Sequence, residues 1–176
     1  IVKRVLDRDL QRTYSAPLRQ QHSCHLLRCF FRAFGRSLAS FSPDFVAAFN
    51  NALQDASEEV ALFASFSLQE FLQRIPHLAP DAPTQKLAES LTAVSSLSRL
   101  PTLMQAWKLS LLHNLQRPSP RVRCVSLSIL FLQIKQGLEY PVDCIQRVAL
   151  LLSDSLPETR RLAAAALEYV NSNYHA

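Results

Sequence analysis

The sequence predicts an all-α fold, a right-handed solenoid of antiparallel helix pairs with about nine helices. Three observations predict it. Apolar residues recur at spacings of three and four along the whole chain, the period of a helix and not of a strand. Ten prolines but only two glycines punctuate 176 residues. Tight β-turns consume glycine, so this composition disfavours a sheet fold. Finally, one short template recurs three times, each copy preceded by an apolar helical stretch. A hydrophobic fraction of 48% with 19% charge suits a packed core and excludes a disordered chain.

The elements follow in order. Val5 and Leu10 lie on a first helix over about 1–14, broken by Ser15-Ala16-Pro17, since proline disfavours helix at the preceding residue. A long helix over about 18–40 carries Leu26, Leu27, Phe30, Phe31, Phe34 and Leu38. Ser42 and Pro43 restart the chain as N-cap and first helical residue, and the helix runs through Phe45 to Gln54. Ser57-Glu58-Glu59 opens a helix to about Ile75, where Pro76 stops it. Residues 76–83 hold three prolines and read as a loop. Thr84 caps a helix to about Leu100, and Pro101 begins another to about Gln116. Pro118-Ser119-Pro120 opens a helix that Gly137 ends; Pro141 starts one to about Leu152, and Pro157 the last, to about Asn171. Connections of two to six residues favour antiparallel neighbours.

The template reads Asp55-Ala56-Ser57-Glu58-Glu59-Val60-Ala61, then Arg117-Pro118-Ser119-Pro120-Arg121-Val122-Arg123, then Asp154-Ser155-Leu156-Pro157-Glu158-Thr159-Arg160. Val122 and Thr159 are 37 residues apart, and Val60 and Val122 are 62 apart. The Pro-rich loop and the helix over 84–100 fill the excess. These segments resemble the HEAT repeat, a helix–turn–helix unit of about 40 residues. Asp154, Pro157, Arg160, Ala163 and Leu167 match its pattern, with Thr159 in place of Val. Pro118, Pro120, Val122, Arg123 and Leu130 match in the second copy, and Asp55, Val60, Ala64 and Leu68 in the first. Arg117 stands where the pattern has Asp, and Ala61 where it has Arg. The resemblance covers about 43–75 and 101–172. It implies a ladder of Asp–Arg hydrogen bonds between neighbouring units, weakened at Arg117 and Ala61. Asp154 and Arg123 are therefore expected to meet across the second and third units. The expected organisation is one solenoid segment: a basic helix pair over 1–42, HEAT-like units over 43–75, 101–137 and 138–176, and a loop plus an extra helix over 76–100.

A helix pair with apolar stripes on two sides cannot bury both alone; stacking the next pair covers the open side. Such stacks present long surfaces, the second helices lining the concave side, and their chemistry is recognition. The expected function is a non-catalytic protein-interaction scaffold, a subunit or adaptor of a larger assembly. The arginines Arg121, Arg123, Arg160 and Arg161 are the candidate partner contacts, because arginine is enriched at interfaces and forks onto carboxylates. The expected partners are acidic protein surfaces or helices. Tyr169 and Tyr174 could cap the array or meet a further repeat.

A second function class rests on charge. Residues 1–36 carry eight basic groups against two acids, and 15 of the 19 basic residues in the chain are arginine. Arg4, Arg8 and Arg12 form one stripe and Arg28, Arg32 and Arg36 another, at spacings that could track phosphates. Nucleic acid is thus the alternative partner, though Asp7 and Asp9 dilute the first stripe and the phenylalanines read as core, not as stacking platforms.

Other chemistries are disfavoured. Two glycines exclude a Gly-rich phosphate loop, and no G-x-S-x-G occurs. Glu58-Glu59 reads as a first helical turn favoured by the dipole. His22, Cys24, His25 and Cys29 cluster, but without the paired spacing of a structural zinc site. No enzyme activity, cofactor or metal is expected. Cys24, Cys29, Cys124 and Cys144 form no CxxC pair, which fits reduced thiols in an intracellular protein of the cytoplasm or nucleus. The strictly apolar runs fall far short of a membrane span. A start at Ile1 without a signal peptide reads as a piece of a longer protein.

Overall fold

A computed structural model describes residues 43–74 and 100–174. These residues are all-helical, with no strand among them. Six α-helices follow in order: α1 (Pro43–Leu53), α2 (Glu58–Arg74), α3 (Leu100–Asn114), α4 (Pro120–Lys135), α5 (Val142–Leu150) and α6 (Pro157–Asn173). A 3-10 turn, Leu151–Ser153, extends α5. The helices expected over 1–14, 18–40 and 84–100, apart from Leu100, lie outside the described residues, so the count of nine does too.

Local chemistry sets the boundaries. Ser119 is the N-cap of α4, its hydroxyl accepting from the Val122 amide at 3.3 Å, with Pro120 just inside. At the other end Gly137 takes φ +68°, Leu138 N–H donates to Gln133 C=O at 2.9 Å, and Gly137 N–H donates to Ile134 C=O. That is a Schellman stop, and the left-handed residue it needs is glycine. The turns into α2 and α6 are built alike. Asp55 Oδ1 accepts the Ser57 amide and Asp154 Oδ1 accepts the Leu156 amide, both at 2.8 Å, which are Asx turns. Two expectations need correction. Residues 142–153 are not one continuous α-helix but end in the 3-10 turn, and α3 begins at Leu100, one residue before its proline, which fits because proline's missing donor is tolerated in a first turn.

Sequential helices pack as pairs: α1 on α2, α3 on α4, α5 on α6. Between pairs, α1 packs on α3, α2 on α4 and α4 on α6. Hence α4 is central, and its apolar residues run nearly all round: Val122, Leu127, Ile129, Leu130, Phe131 and Ile134 are all buried. One core cluster runs from Phe49 and Leu53 through Met104, Trp107 and Leu127 to Ala163 and Val170. Trp107 is fully buried; its indole N–H donates to Val46 C=O at 3.3 Å and its ring meets Phe49 edge-on at 5.0 Å. The α1–α3 seam also holds polar side chains. Gln54 Nε2 donates to Ser110 Oγ at 2.7 Å, and Asn114 Nδ2 to Leu53 C=O at 3.0 Å. No described helix is long and apolar enough to cross a membrane.

Thr159 sits where the repeat pattern has Val, and where α4 carries Val122. Both are fully buried, and the Thr159 hydroxyl has no hydrogen-bond partner. A buried unpaired hydroxyl costs about 1–3 kcal/mol. Thr159→Val is therefore expected to raise stability by about 1 kcal/mol, seen as a higher urea midpoint at unchanged slope; a lower midpoint would contradict this packing.

Candidate interaction surface

Asp154 and Arg123 meet as the template leads one to expect. Arg123 Nε donates to Asp154 Oδ2 at 2.5 Å, joining α4 to the turn before α6. Its Nη2 reaches Ser155 Oγ at 3.3 Å, and its Nη1 donates to the Arg117 and Pro118 carbonyls at 2.6 and 2.8 Å. The Asp154 side chain is 2% exposed and that of Arg123 15%. Burial by itself would raise the Asp154 pKa. The Arg123 hydrogen bond and the Leu156 amide outweigh it, so the carboxyl titrates below its ordinary value of 3.8.

A depressed carboxylate pKa means the contact stabilises the fold above the ordinary value and loses that contribution as pH falls through the lowered one. Asp154→Ala is expected to cost about 3 kcal/mol at neutral pH, because it strands a half-buried guanidinium. Asp154→Asn, which can still accept the Leu156 amide, should cost less. Denaturant melts at several pH values should show the gap from wild type closing only in acid.

Arg160 occupies the matching place in α6. Its Nη1 donates to the Asp154 and Ser155 carbonyls at 2.7 and 3.2 Å, the same two positions, six and five residues back, that Arg123 takes in its own turn. Arg160 is exposed, as are Arg121 and Arg161. Of the four candidate contacts, Arg123 thus ties α4 to the turn before α6, Arg160 is exposed but bonded to its own turn, and Arg121 and Arg161 are exposed. Arg117, where the pattern has Asp, makes a link of its own: Nη2 donates to Ala56 C=O at 3.1 Å, from the second turn to the first. Ala61 is buried with Leu62 against Val122, a packed contact in place of a ladder arginine. Arg28, Arg32 and Arg36, and the His22–Cys29 cluster, lie outside the described residues.

Two features escaped the sequence. Lys108 points inward, and its Nζ donates to Glu139 at 2.7 Å and Asp143 at 2.6 Å. The Glu139 side chain is 1% exposed, and Glu139 also accepts from the Gln105 side chain and the Tyr140 amide. Burial lowers the Lys108 pKa, but the bonds to Asp143 and Glu139 reverse this and leave it raised. The sequence did hold a signal. Met104, Lys108, Leu111 and Leu115 fall at i, i+4, i+7 and i+11, so a lysine interrupts an apolar stripe. The second feature corrects the inward reading of the phenylalanines. Phe49, Phe71 and Phe131 are buried, but Phe63 and Phe66 stand 42% and 45% exposed on α2, beside Gln69, Glu70 and Gln73 in a shallow open groove.

Among the described residues, no group of three His, Cys, Asp or Glu side chains could hold a metal. Cys144 is buried, its thiol facing Pro141 C=O at 3.1 Å; burial, aided by the Glu139 charge, pushes its pKa up to about 11. At neutral pH it stays a thiol, a poor nucleophile. The arrangement offers fixed arginines, exposed apolar side chains and buried ion pairs, which suits recognition. No known protein family, curated protein or solved structure matches the chain.

Proposed function

We propose that the chain is a segment of a HEAT-like α-solenoid that acts, without catalysis, as a protein-interaction scaffold within a larger intracellular assembly of the cytoplasm or nucleus. The observation that carries this reading is the repeated arginine clasp. Arg123 and Arg160, 37 residues apart, bind the two carbonyls of their own turns in the same way, and each lies near the start of the second helix of its pair. A turn that recurs with the same contacts supports stacked helix pairs. The exposed Arg121, Arg160 and Arg161 give such a stack forks for carboxylates on acidic partner surfaces.

Residue-level crosslinking of the full-length protein in its native assembly tests it. Crosslinks to other polypeptides should converge on the faces carrying these arginines. The same protein titrated with duplex and single-stranded nucleic acid at two salt concentrations should bind weakly or not at all at physiological salt. Micromolar or tighter binding with a steep salt slope, lost on replacing Arg28, Arg32 and Arg36, would make nucleic acid the partner instead.

A further inference from the structure

The turns before α2, α4 and α6 are each held by a guanidinium on a main-chain carbonyl, but one of them takes its arginine from a neighbour. All three helices open with the same bond. Ala61 N–H donates to Ser57 C=O at 3.1 Å, Arg123 N–H to Ser119 C=O at 3.2 Å and Arg160 N–H to Leu156 C=O at 3.2 Å. Residues 61, 123 and 160 therefore stand at equivalent places. Five residues before two of them, Pro118 C=O accepts Arg123 Nη1 at 2.8 Å and Ser155 C=O accepts Arg160 Nη1 at 3.2 Å. Position 61 is alanine and has no donor in its side chain. Yet the carbonyl five residues before it, that of Ala56, accepts Arg117 Nη2 at 3.1 Å. This donor belongs to the turn before α4.

The two departures from the repeat pattern fall at this one joint. Arg117 stands where the other turns have Asp55 and Asp154, and Ala61 where the other helices have Arg123 and Arg160. An arginine at both places would bring two like charges to one carbonyl, which is unfavourable. An arginine at neither would leave the carbonyl without its guanidinium. The bonds that result run through all three turns. Arg117 gives its side chain to Ala56 C=O and its own C=O to Arg123 Nη1. Arg123 Nε then reaches the Asp154 carboxylate, and Asp154 C=O accepts Arg160 Nη1.

We infer that Ala61 and Arg117 form one exchange, in which the arginine that clasps the turn before α2 has moved to the following turn, and that this makes the turn before α2 depend on the stacking of the next helix pair. The turns before α4 and α6 are clasped by arginines of their own helices and stay clasped when neighbouring pairs separate. The turn before α2 keeps its Asp55 Oδ1 bond to the Ser57 amide. Its guanidinium clasp exists only while α3–α4 lies against α1–α2. Separation of these two pairs thus loosens the connection inside the first pair as well, a conformational coupling that the α4–α6 joint lacks.

Amide hydrogen exchange, read residue by residue on the whole chain, tests the coupling. Arg117→Met keeps most of the side-chain stem and removes the donor. It should speed exchange at the amide of residue 61 about tenfold, the loss of one hydrogen bond from a charged group, and leave the amides of 123 and 160 unchanged. Arg117→Lys, which retains a charged donor, should recover part of the protection at 61. Arg160→Met should act on its own turn instead, speeding exchange at 160 and not at 61. An unchanged rate at 61 in Arg117→Met would overturn the inference. So would a rise of equal size at all three amides, which is general destabilisation, or a lysine variant that exchanges as fast as the methionine one.

Discussion

Lys108→Ala is expected to destabilise the protein by about 3–5 kcal/mol, the cost of leaving one member of a buried ion pair alone. Glu139, 1% exposed at its side chain, loses the ammonium 2.7 Å away. Gln105 at 3.3 Å and its neighbouring amide at 3.1 Å cannot neutralise a carboxylate. Asp143 also loses Lys108, but its side chain is 64% exposed and water replaces the partner at small cost. The control is the double variant Lys108→Met with Glu139→Gln, which removes both charges and should recover most of the loss. The pH dependence follows from the lysine. In the wild type, the raised Lys108 pKa means the contribution is complete below the ordinary value of 10.5 and fades as pH climbs through the raised one. A single variant as stable as the double one would show that the carboxylate finds water.

Trp107→Ala should have an effect of similar size, about 3–5 kcal/mol. The indole is fully buried between α1 and α3, and its removal opens a cavity beside Phe49 and frees the Val46 carbonyl. A total stability of about 5–15 kcal/mol leaves little after that loss. Trp107→Phe keeps an aromatic ring against Phe49 and should fall between. The chain has one tryptophan, so helical circular dichroism, not intrinsic fluorescence, must follow these melts. A loss under about 1 kcal/mol for the alanine variant would mean that the seam collapses around the gap.

Legibility in the sequence divides along physical lines. Helix starts and stops were readable because they are local: Pro120 behind Ser119, Pro157, and Gly137 each act through bonds within one turn. The Asp154–Arg123 bond was legible through the resemblance to the HEAT repeat, which implies an Asp–Arg ladder between neighbouring units. What lies opposite a given face is not local. Periodicity put Lys108 on an apolar stripe but could not say that Glu139, in a turn 31 residues later, would lie against it. Phe63 and Phe66 read as core by type, yet α2 is covered by α1 and α4 along Ala64, Leu68, Phe71 and Leu72, leaving both rings on the side those two helices do not cover. Arg117 looked like a broken rung, and only the fold shows it reaching the Ala56 carbonyl.

The burial of Cys144 turns the protein into its own stopwatch. A sulfhydryl that does not ionise near neutrality and sits inside the third pair is sealed from alkylating reagents until that pair opens. In a version with Cys24, Cys29 and Cys124 changed to serine, the labelling rate at one atom would time how often the α5–α6 pair breathes, without a dye or a denaturant.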